Sequence, residues 1–427
     1  MKPIVVVGAG LAGLVCARRL LRSGNSVIVV DDQDRPGGRL RTDNVGGFLL
    51  DHGFQVMFTA YPNAKRELNF DALHFGKFRK GAYIYHNGGM HLLEPQTLME
   101  MVRTKFELVR DKTIPIHDKK LLGKLSGSVG EMSHRQAFAS NPEPTIDFLY
   151  EFGFGDEIID RFFRPFLGGI FLDRSLEVDS RQFKFVWGML NQGETVLPQG
   201  GMQAISDQIA ADIPRYLFRL GNPVQSILKD DHGNACGVRL DTTEEIQASA
   251  VVLATDAWSA AELAGQATVE QGKSSTCLYF ETATPIVDAP YLALNGTELG
   301  IVNHVAPVTL ASPSYAPSGK HLAAVTILSN PSQSDAELAD LAKEELNQWA
   351  PNKGTYMWRF IRAYRIKNAQ MRQEVGFAEK LPNNATHTNG LYWAGEFTEN
   401  SSIDGAIRSG MECAALVQSE RGASEAA

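Results

Sequence analysis

Ile4-Val5-Val6-Val7-Gly8-Ala9-Gly10-Leu11-Ala12-Gly13 reads as a buried strand, a glycine turn and the start of a helix. Four β-branched apolar residues in a row suit a parallel strand covered on both faces. From Leu11 to Ser23, Leu14, Val15, Leu20 and Leu21 recur at near-helical spacing, and Gly24 supplies a stop. Val27–Val30 is a second apolar strand, which completes a βαβ opening. Gly8, Gly10 and Gly13 form a GxGxxG in the setting that binds a dinucleotide. Gly8 permits a tight turn, Gly10 lets a pyrophosphate approach the backbone, and Gly13 lets helix and strand pack closely. The free N–H groups around Leu11 and Ala12 and the helix dipole favour the phosphates. Asp31, with Asp32 beside it, ends the second strand where a carboxylate can accept both adenosine ribose hydroxyls and disfavours a 2′-phosphate.

Working outward, the middle of the chain changes character. Ala82–His86, Asn87-Gly88-Gly89 and Met90–Leu93 read as a hairpin. Pro95 is expected to open a helix through Arg110, and further helices run to about Asn191. Their aromatics (Phe148, Phe152, Phe162, Phe163, Phe166) read as ordinary core or, more sharply, as the wall of a pocket. After Gly200-Gly201 a helix is followed by strands near 215–219 and 223–228, a turn at Asp231–Asn234, another strand and the apolar run Ala250–Ala254. Residues 270–365 look strand-rich around one helix that begins with a Ser334/Glu337 capping box. Leu391–Ala394 and the helical Ile403–Val417 close the chain. Dinucleotide-like segments separated by two insertions imply an α/β fold with two interleaved discontinuous domains. A Rossmann-like nucleotide-binding domain is expected from 1–75, 192–268 and 380–427, and an α+β substrate domain from 76–191 and 269–379.

The 427 residues are 44% hydrophobic and 21% charged, with a formal net charge of −8 and no Lys/Arg block. That argues against a nucleic-acid partner and against a strongly basic membrane patch. The four cysteines lie far apart without a CxxC, and the ten histidines show no HExxH, so neither a thiol redox centre nor a metal is expected. A reduced cytoplasmic chain fits best. The apolar start is far shorter than the ~18 residues of a spanning helix, which leaves only peripheral membrane contact open.

Asp34-Arg35-Pro36-Gly37-Gly38-Arg39-Leu40-Arg41-Thr42 follows Asp31. Here the chain resembles the flavin amine oxidase and phytoene desaturase superfamily, which includes protoporphyrinogen oxidase-like proteins and carries a GGRxxT segment at this place. Gly37, Gly38, Arg39 and Thr42 match it position for position. Asp51-His52-Gly53-Phe54-Gln55 resembles the family's DxG segment beside the isoalloxazine ring, and Leu197–Met202 its PxGG turn. Pro223-Val224 matches the strand that meets the adenine, and Ala250–Thr255 the strand ending in an AT pair. Ala394-Gly395-Glu396 and the run from Ser402 and Ile403 through Ala406 to Gly410 resemble the closing flavin motif. The resemblance implies a GR2-type fold and FAD held by these segments. It also implies a non-covalent flavin, since 395–404 contains no Cys, His or Tyr.

Departures from the family leave the substrate open. Thr276 stands where amine oxidases carry a lysine, with Lys273 nearby, and Ser402 stands where they carry an aromatic residue. Lys367, Asn368 and Gln370 replace the apolar-proline segment of desaturases. Gln55, Arg164, Lys367 and His52 are pocket candidates. Gln55 could approach the flavin edge and Arg164 could anchor an anion. Lys367 could be a mechanistic amine or a solvated one, and His52 a base or a hydrogen-bonded structural histidine. The leading expectation is an FAD-dependent oxidoreductase that removes hydride from a largely apolar small molecule and passes electrons to oxygen or a quinone. A flavin amine oxidase, a non-redox flavin isomerase and a flavin-free partner-binding protein are the alternatives.

Overall fold

The computed structural model describes residues 2–94, 113–266 and 270–426, with side chains through residue 421. β1 (Ile4–Val7) is buried along its whole length and pairs in parallel with β2 (Val27–Asp31) on one side. On its other side it pairs with the apolar β4 (Ala250–Leu253). With β3 (Phe218–Leu220) and β5 (Leu391–Trp393), these make a fully parallel sheet in the order β3-β2-β1-β4-β5. The strand order reverses at β1, and a ligand crevice forms at the carboxyl ends of strands at such a switch point. Helix α1 (Leu11–Arg22) connects β1 to β2 and ends on Ser23.

A seven-stranded sheet is assembled from the hairpin 82–93 and from strands between 273 and 370. Its strands are antiparallel except where Ala82–His86 lies parallel to Leu292–Asn295. The helix Asp335–Trp349 starts with the expected capping box and buries Leu338, Ala342, Leu346 and Trp349 against this sheet. We retain the domain division as a proposal; its 268/269 boundary and the helix expected from Pro95 to Arg110 lie outside the described residues. The strand expected at 215–219 is corrected. Arg215–Leu217 is a 3-10 turn following Pro214, and the strand begins at Phe218.

Three helices carry the aromatic insertion, α2 (Ile116–Val129), α3 (Arg164–Phe171) and α4 (Ser180–Gln192); α4 packs on α2, and α3 lies against Leu292–Asn295 and His304–Ala306 of the seven-stranded sheet. α3 is entered through a π-helical turn, Ile159–Phe163. There Phe162 stacks on Phe166 at 5.1 Å, while Phe163 is wholly buried against Phe154 and Phe183. The aromatics therefore divide between core and cavity wall. Helix α5 (Ile403–Ala426) packs on α1, and Gly410 makes this approach feasible: a Cβ there would lie 2.4 Å from the Ala12 carbonyl oxygen.

Candidate functional site

The glycines of the first turn have separable jobs. Gly8 has φ +109°, and a Cβ on it would fall 2.5 Å from the Ala254 oxygen at the end of β4. A Cβ on Gly13 would fall 2.0 Å from the Gly8 oxygen. Those two residues are required by the protein's own packing. Gly10 is different: its backbone is ordinary extended chain, and a Cβ there would meet no protein atom within 4 Å. The space beside it belongs to a cavity of about 2570 Å³. Gly38 approaches from the opposite side, where a Cβ would lie 3.1 Å from the Gly10 Cα. This glycine-walled cradle at a helix N-terminus suits a pyrophosphate.

Asp31 and Asp32 line the same cavity. Asp31 accepts from the Ala9 N–H at 2.5 Å and the Gln33 N–H at 2.8 Å. Two backbone bonds leave carboxylate lone pairs for hydroxyl donors. Burial raises its pKa, opposed by those two N–H groups.

All the expected cofactor contacts except Gly13 border this one cavity: Gly8, Gly10, Leu11 and Ala12, then Asp31 and Asp32, then Gly37, Gly38 and Arg39. Gly53, Phe54, Gln55, Val224, Thr255, Gly395, Glu396, Ser402, Ile403 and Ala406 complete the wall. Ser402 precedes α5 and its Oγ accepts from the Gly405 N–H at 2.8 Å, so the positive end of a long helix faces the cavity. Asp404 turns away and accepts from the Asn63 and Ala64 N–H groups.

The catalytic candidates fare unevenly. Both amide hydrogens of Gln55 are taken, by the carbonyls of Arg39 at 2.9 Å and His52 at 3.2 Å, so it offers the cavity only its carbonyl. His52 lines the cavity, but its Nε2 lies 3.1 Å from Asp43 and its ring packs on Tyr364 at 4.6 Å. Burial holds its pKa below the usual value against the pull of Asp43. Lys367 is a correction. It is exposed and does not line the cavity, although Ile366 and Asn368 do, because successive strand residues face opposite sides. Arg164 is also withdrawn as an anion anchor: Asp160 and the carbonyls of Arg174 and Ser175 occupy it. Thr276 is buried and bonded to Ser329 and Asn330, and Lys273 pairs with Asp173 at 2.7 Å.

Beyond the Gly53–Gln55 turn the cavity opens into a chamber that sequence reasoning mostly missed. Phe78, Leu122, Phe162, Phe166, Val186, Trp187, Leu190 and Leu292 give it an apolar wall, with Gln182 and His304 set among them. A single small-molecule site occupies about 300–1,000 Å³, so this volume accommodates a dinucleotide and a second organic ligand. Among the described residues, no cluster of potential metal ligands occurs and no helix is long and apolar enough to cross a membrane.

Comparison with known proteins agrees with this geometry. One relative is protoporphyrinogen oxidase 2 of Arabidopsis thaliana, 29% identical over 172 residues that span 39% of this chain and 32% of that protein. The chain therefore matches only about a third of that relative's length. In structure it resembles an oxidoreductase from Methanosarcina mazei, with TM-score 0.73 and 20% identity over 96% of this chain and 99% of that one. It also resembles reduced UDP-galactopyranose mutase, with TM-score 0.70 and 16% identity over 98% and 96%. At these identities the structural likeness establishes the fold, which is the flavoprotein α/β architecture. The model of the flavin containing amine oxidoreductases matches residues 11–418, nearly the whole chain, and the protein belongs to that flavoenzyme family.

Proposed function

We propose that the chain binds FAD non-covalently and, with it, removes hydride from a C–H bond of a largely apolar organic molecule. The observation that carries this reading is the continuity of one cavity from the Gly10 cradle, past Gly53 and Phe54, into an aromatic chamber. The bound flavin would supply the two-electron chemistry. The protein's part is binding and orientation. Asp31 would accept the adenosine ribose hydroxyls, and the N–H groups at the start of α1 would hold the pyrophosphate. The N-terminus of α5 would favour negative charge at the far end of the cofactor. Phe162, Phe166 and Trp187 would exclude water from the reacting carbon.

Two observations favour a desaturase- or dehydrogenase-like reaction over amine oxidation. Lys273 is held by Asp173 and does not border the cavity, and Ser402 caps a helix where an amine-caging aromatic would stand. Residues 395–404 hold no Cys, His or Tyr, which supports non-covalent attachment. The four free cysteines support a reducing, cytoplasmic setting, and the electron acceptor we propose is oxygen or a quinone. The test is anaerobic mixing of the yellow protein with amines, polyenes and porphyrinogens while flavin absorbance is followed. Bleaching by a polyene or porphyrinogen supports the proposal, and bleaching by amines alone overturns it. Product formed only by pre-reduced protein, without net oxidation, would identify an isomerase.

A further inference from the structure

We propose that the rim of the aromatic chamber is an anion site: Lys119, Lys120 and Lys124 of α2 hold an anionic head group, a carboxylate or phosphate, while the apolar body of the same molecule lies in the chamber. This deepens the preceding reading, on which the chamber holds the substrate.

The sequence of α2 sorts its residues onto opposite faces. Asp118, Leu121, Leu125 and Val129 recur at helical spacing and form the buried side. Ile116, Lys119, Lys120, Gly123 and Lys124 fall on the other side, and all of them line the cavity. Lys120, Gly123 and Lys124 are exposed and Lys119 is half-buried, so the cavity meets solvent here. Leu122, on the same helix, belongs to the apolar wall. One helix thus carries both apolar lining and a charged edge. Glycine weakens a helix interior, yet a Cβ on Gly123 would meet nothing within 4 Å. The missing side chain leaves open space beside Lys120 and Lys124.

The charges of this rim are not neutralised from within. Arg79, Lys80 and Glu94, which flank the hairpin 82–93, line the same cavity. Glu94 and Arg79 both engage Tyr291: Glu94 accepts from its hydroxyl, and Arg79 lies over its ring at 5.8 Å. Lys80 donates to the Asn191 carbonyl at 2.7 Å, a neutral partner that leaves its charge uncompensated. Asn191 also adjoins the end of α2, where a Cβ on Gly130 would lie 3.0 Å from the Asn191 Cβ, so Lys80 stands near the same helix. The acid of α2, Asp118, is buried on the far face and accepts from the Gly155 N–H at 3.3 Å. The Lys119, Lys120 and Lys124 ammonium groups make no hydrogen bond or ion pair among the described residues. Lys120 and Lys124 are like charges one turn apart, an unfavourable pairing, in a chain whose net charge is −8. An anion between them removes the repulsion, and flexible four-carbon stems let the lysines converge on one head group. A plain hydrocarbon offers these groups nothing, and a protonated amine adds to the repulsion. The geometry thus points to an amphiphilic acid held by its head at the rim, with its oxidisable carbon in the apolar body.

Calorimetric titration of the flavin-loaded protein at neutral pH, with dodecanoate and 1-dodecanol kept monomeric, tests this. The wild type should prefer the alkanoate roughly 3- to 150-fold, since each of three exposed ion pairs strengthens binding roughly 1.4- to 5-fold. The combined variant Lys119→Gln, Lys120→Gln, Lys124→Gln should bind the two probes alike, and the corresponding arginine variant, which keeps the charges, should keep the preference. Lys65, Lys367 and Lys380 are exposed and do not line the cavity. Replacing those three by Gln controls for overall charge and should leave the preference intact. No alkanoate preference in the wild type, absence of binding included, overturns the proposal, as does a preference that survives in the rim glutamine variant or vanishes in the control. Co-sedimentation with phosphatidylglycerol vesicles, abolished by the rim glutamines and unaccompanied by an alkanoate preference, would make the rim a membrane contact instead. None of these readouts needs turnover, so failure of the hydride-transfer reading would be visible separately, as flavin that no substrate reduces.

Discussion

Arg39 Nη1 donates to Glu396 Oε1 at 2.6 Å, a contact between residues 357 apart in sequence. It joins the loop after β2 to the turn after β5. The same nitrogen donates to the Ala369 carbonyl at 3.0 Å, which ties in the end of strand Arg359–Gln370. Glu396 is buried and Arg39 half-exposed, and both line the cavity. One ion pair therefore closes the first and last motif segments around the proposed cofactor.

Arg39→Ala should weaken flavin binding roughly 10- to 150-fold, since a hydrogen bond to a charged group contributes about 1.5–3 kcal/mol and its loss strands the buried Glu396. Glu396→Gln keeps an acceptor and should cost less. Flavin fluorescence released on dilution gives both constants. Equal retention in wild type and Arg39→Ala would mean that the pair is incidental.

Gly10→Val and Gly13→Val should fail in different ways. A Cβ at Gly10 meets no protein atom within 4 Å, so the variant should fold and melt cooperatively but purify colourless. A side chain at Gly13 collides with the Gly8 carbonyl at 2.0 Å, so that variant should not accumulate as folded protein. Flavin absorbance and circular dichroism separate the two outcomes. A yellow Gly10→Val protein would remove the cofactor assignment.

The contrast between these glycines explains what was legible in the sequence. A dinucleotide is held largely by backbone, so its site is written as contiguous glycine patterns that keep their meaning in one dimension. Gln203 escaped notice because its role is tertiary: it donates to the Pro36 carbonyl at 2.8 Å and props the Gly37 turn from another helix. The chamber is harder still. Trp187, Leu292 and His304 come singly from α4 and two strands, and no local spacing links them. Lys367 shows the limit of counting along a strand whose register is unknown. Ile366 packs under Gly53 and Asn368 lines the cavity, so the lysine between them must point outward.

Asp51 should make stability depend on pH in a direction unusual for an acid. It is buried and accepts from Thr42 at 2.5 Å, the Met202 N–H at 2.9 Å and Tyr315 at 2.9 Å. Burial outweighs these bonds and raises its pKa to about 6. A raised folded-state pKa means that the native state holds the proton where the unfolded chain has lost it. The contribution is therefore present below the unfolded value and is lost as pH rises through about 6. Asp51→Asn removes that dependence. Denaturant titrations of both proteins at mildly acidic and mildly alkaline pH should show wild type losing about 1–3 kcal/mol relative to the variant as pH rises. Parallel behaviour would show that Asp51 ionises normally.

Electrons should not enter from a nicotinamide. The strand–turn–helix glycine motif occurs once in the sequence, and its cradle is the one that borders the proposed flavin cavity. The nearest rival, Gly153-Phe154-Gly155, is a helix junction. Gly153 ends the helix Thr145–Phe152 with φ +104°, and Gly155 precedes the short helix Asp156–Ile158. No parallel strand leads into it, so it lacks the crevice that holds a pyrophosphate. There is also no CxxC to relay electrons to a thiol partner. Reducing equivalents should come from the organic substrate and leave to oxygen, a quinone or another carrier. Stopped-flow mixing of the oxidised protein with NADH or NADPH, without other substrate, should leave the flavin absorbance unchanged on the timescale of turnover. Rapid bleaching would instead make the chain a pyridine-nucleotide-dependent reductase, in which a nicotinamide meets the flavin face without a binding motif of its own.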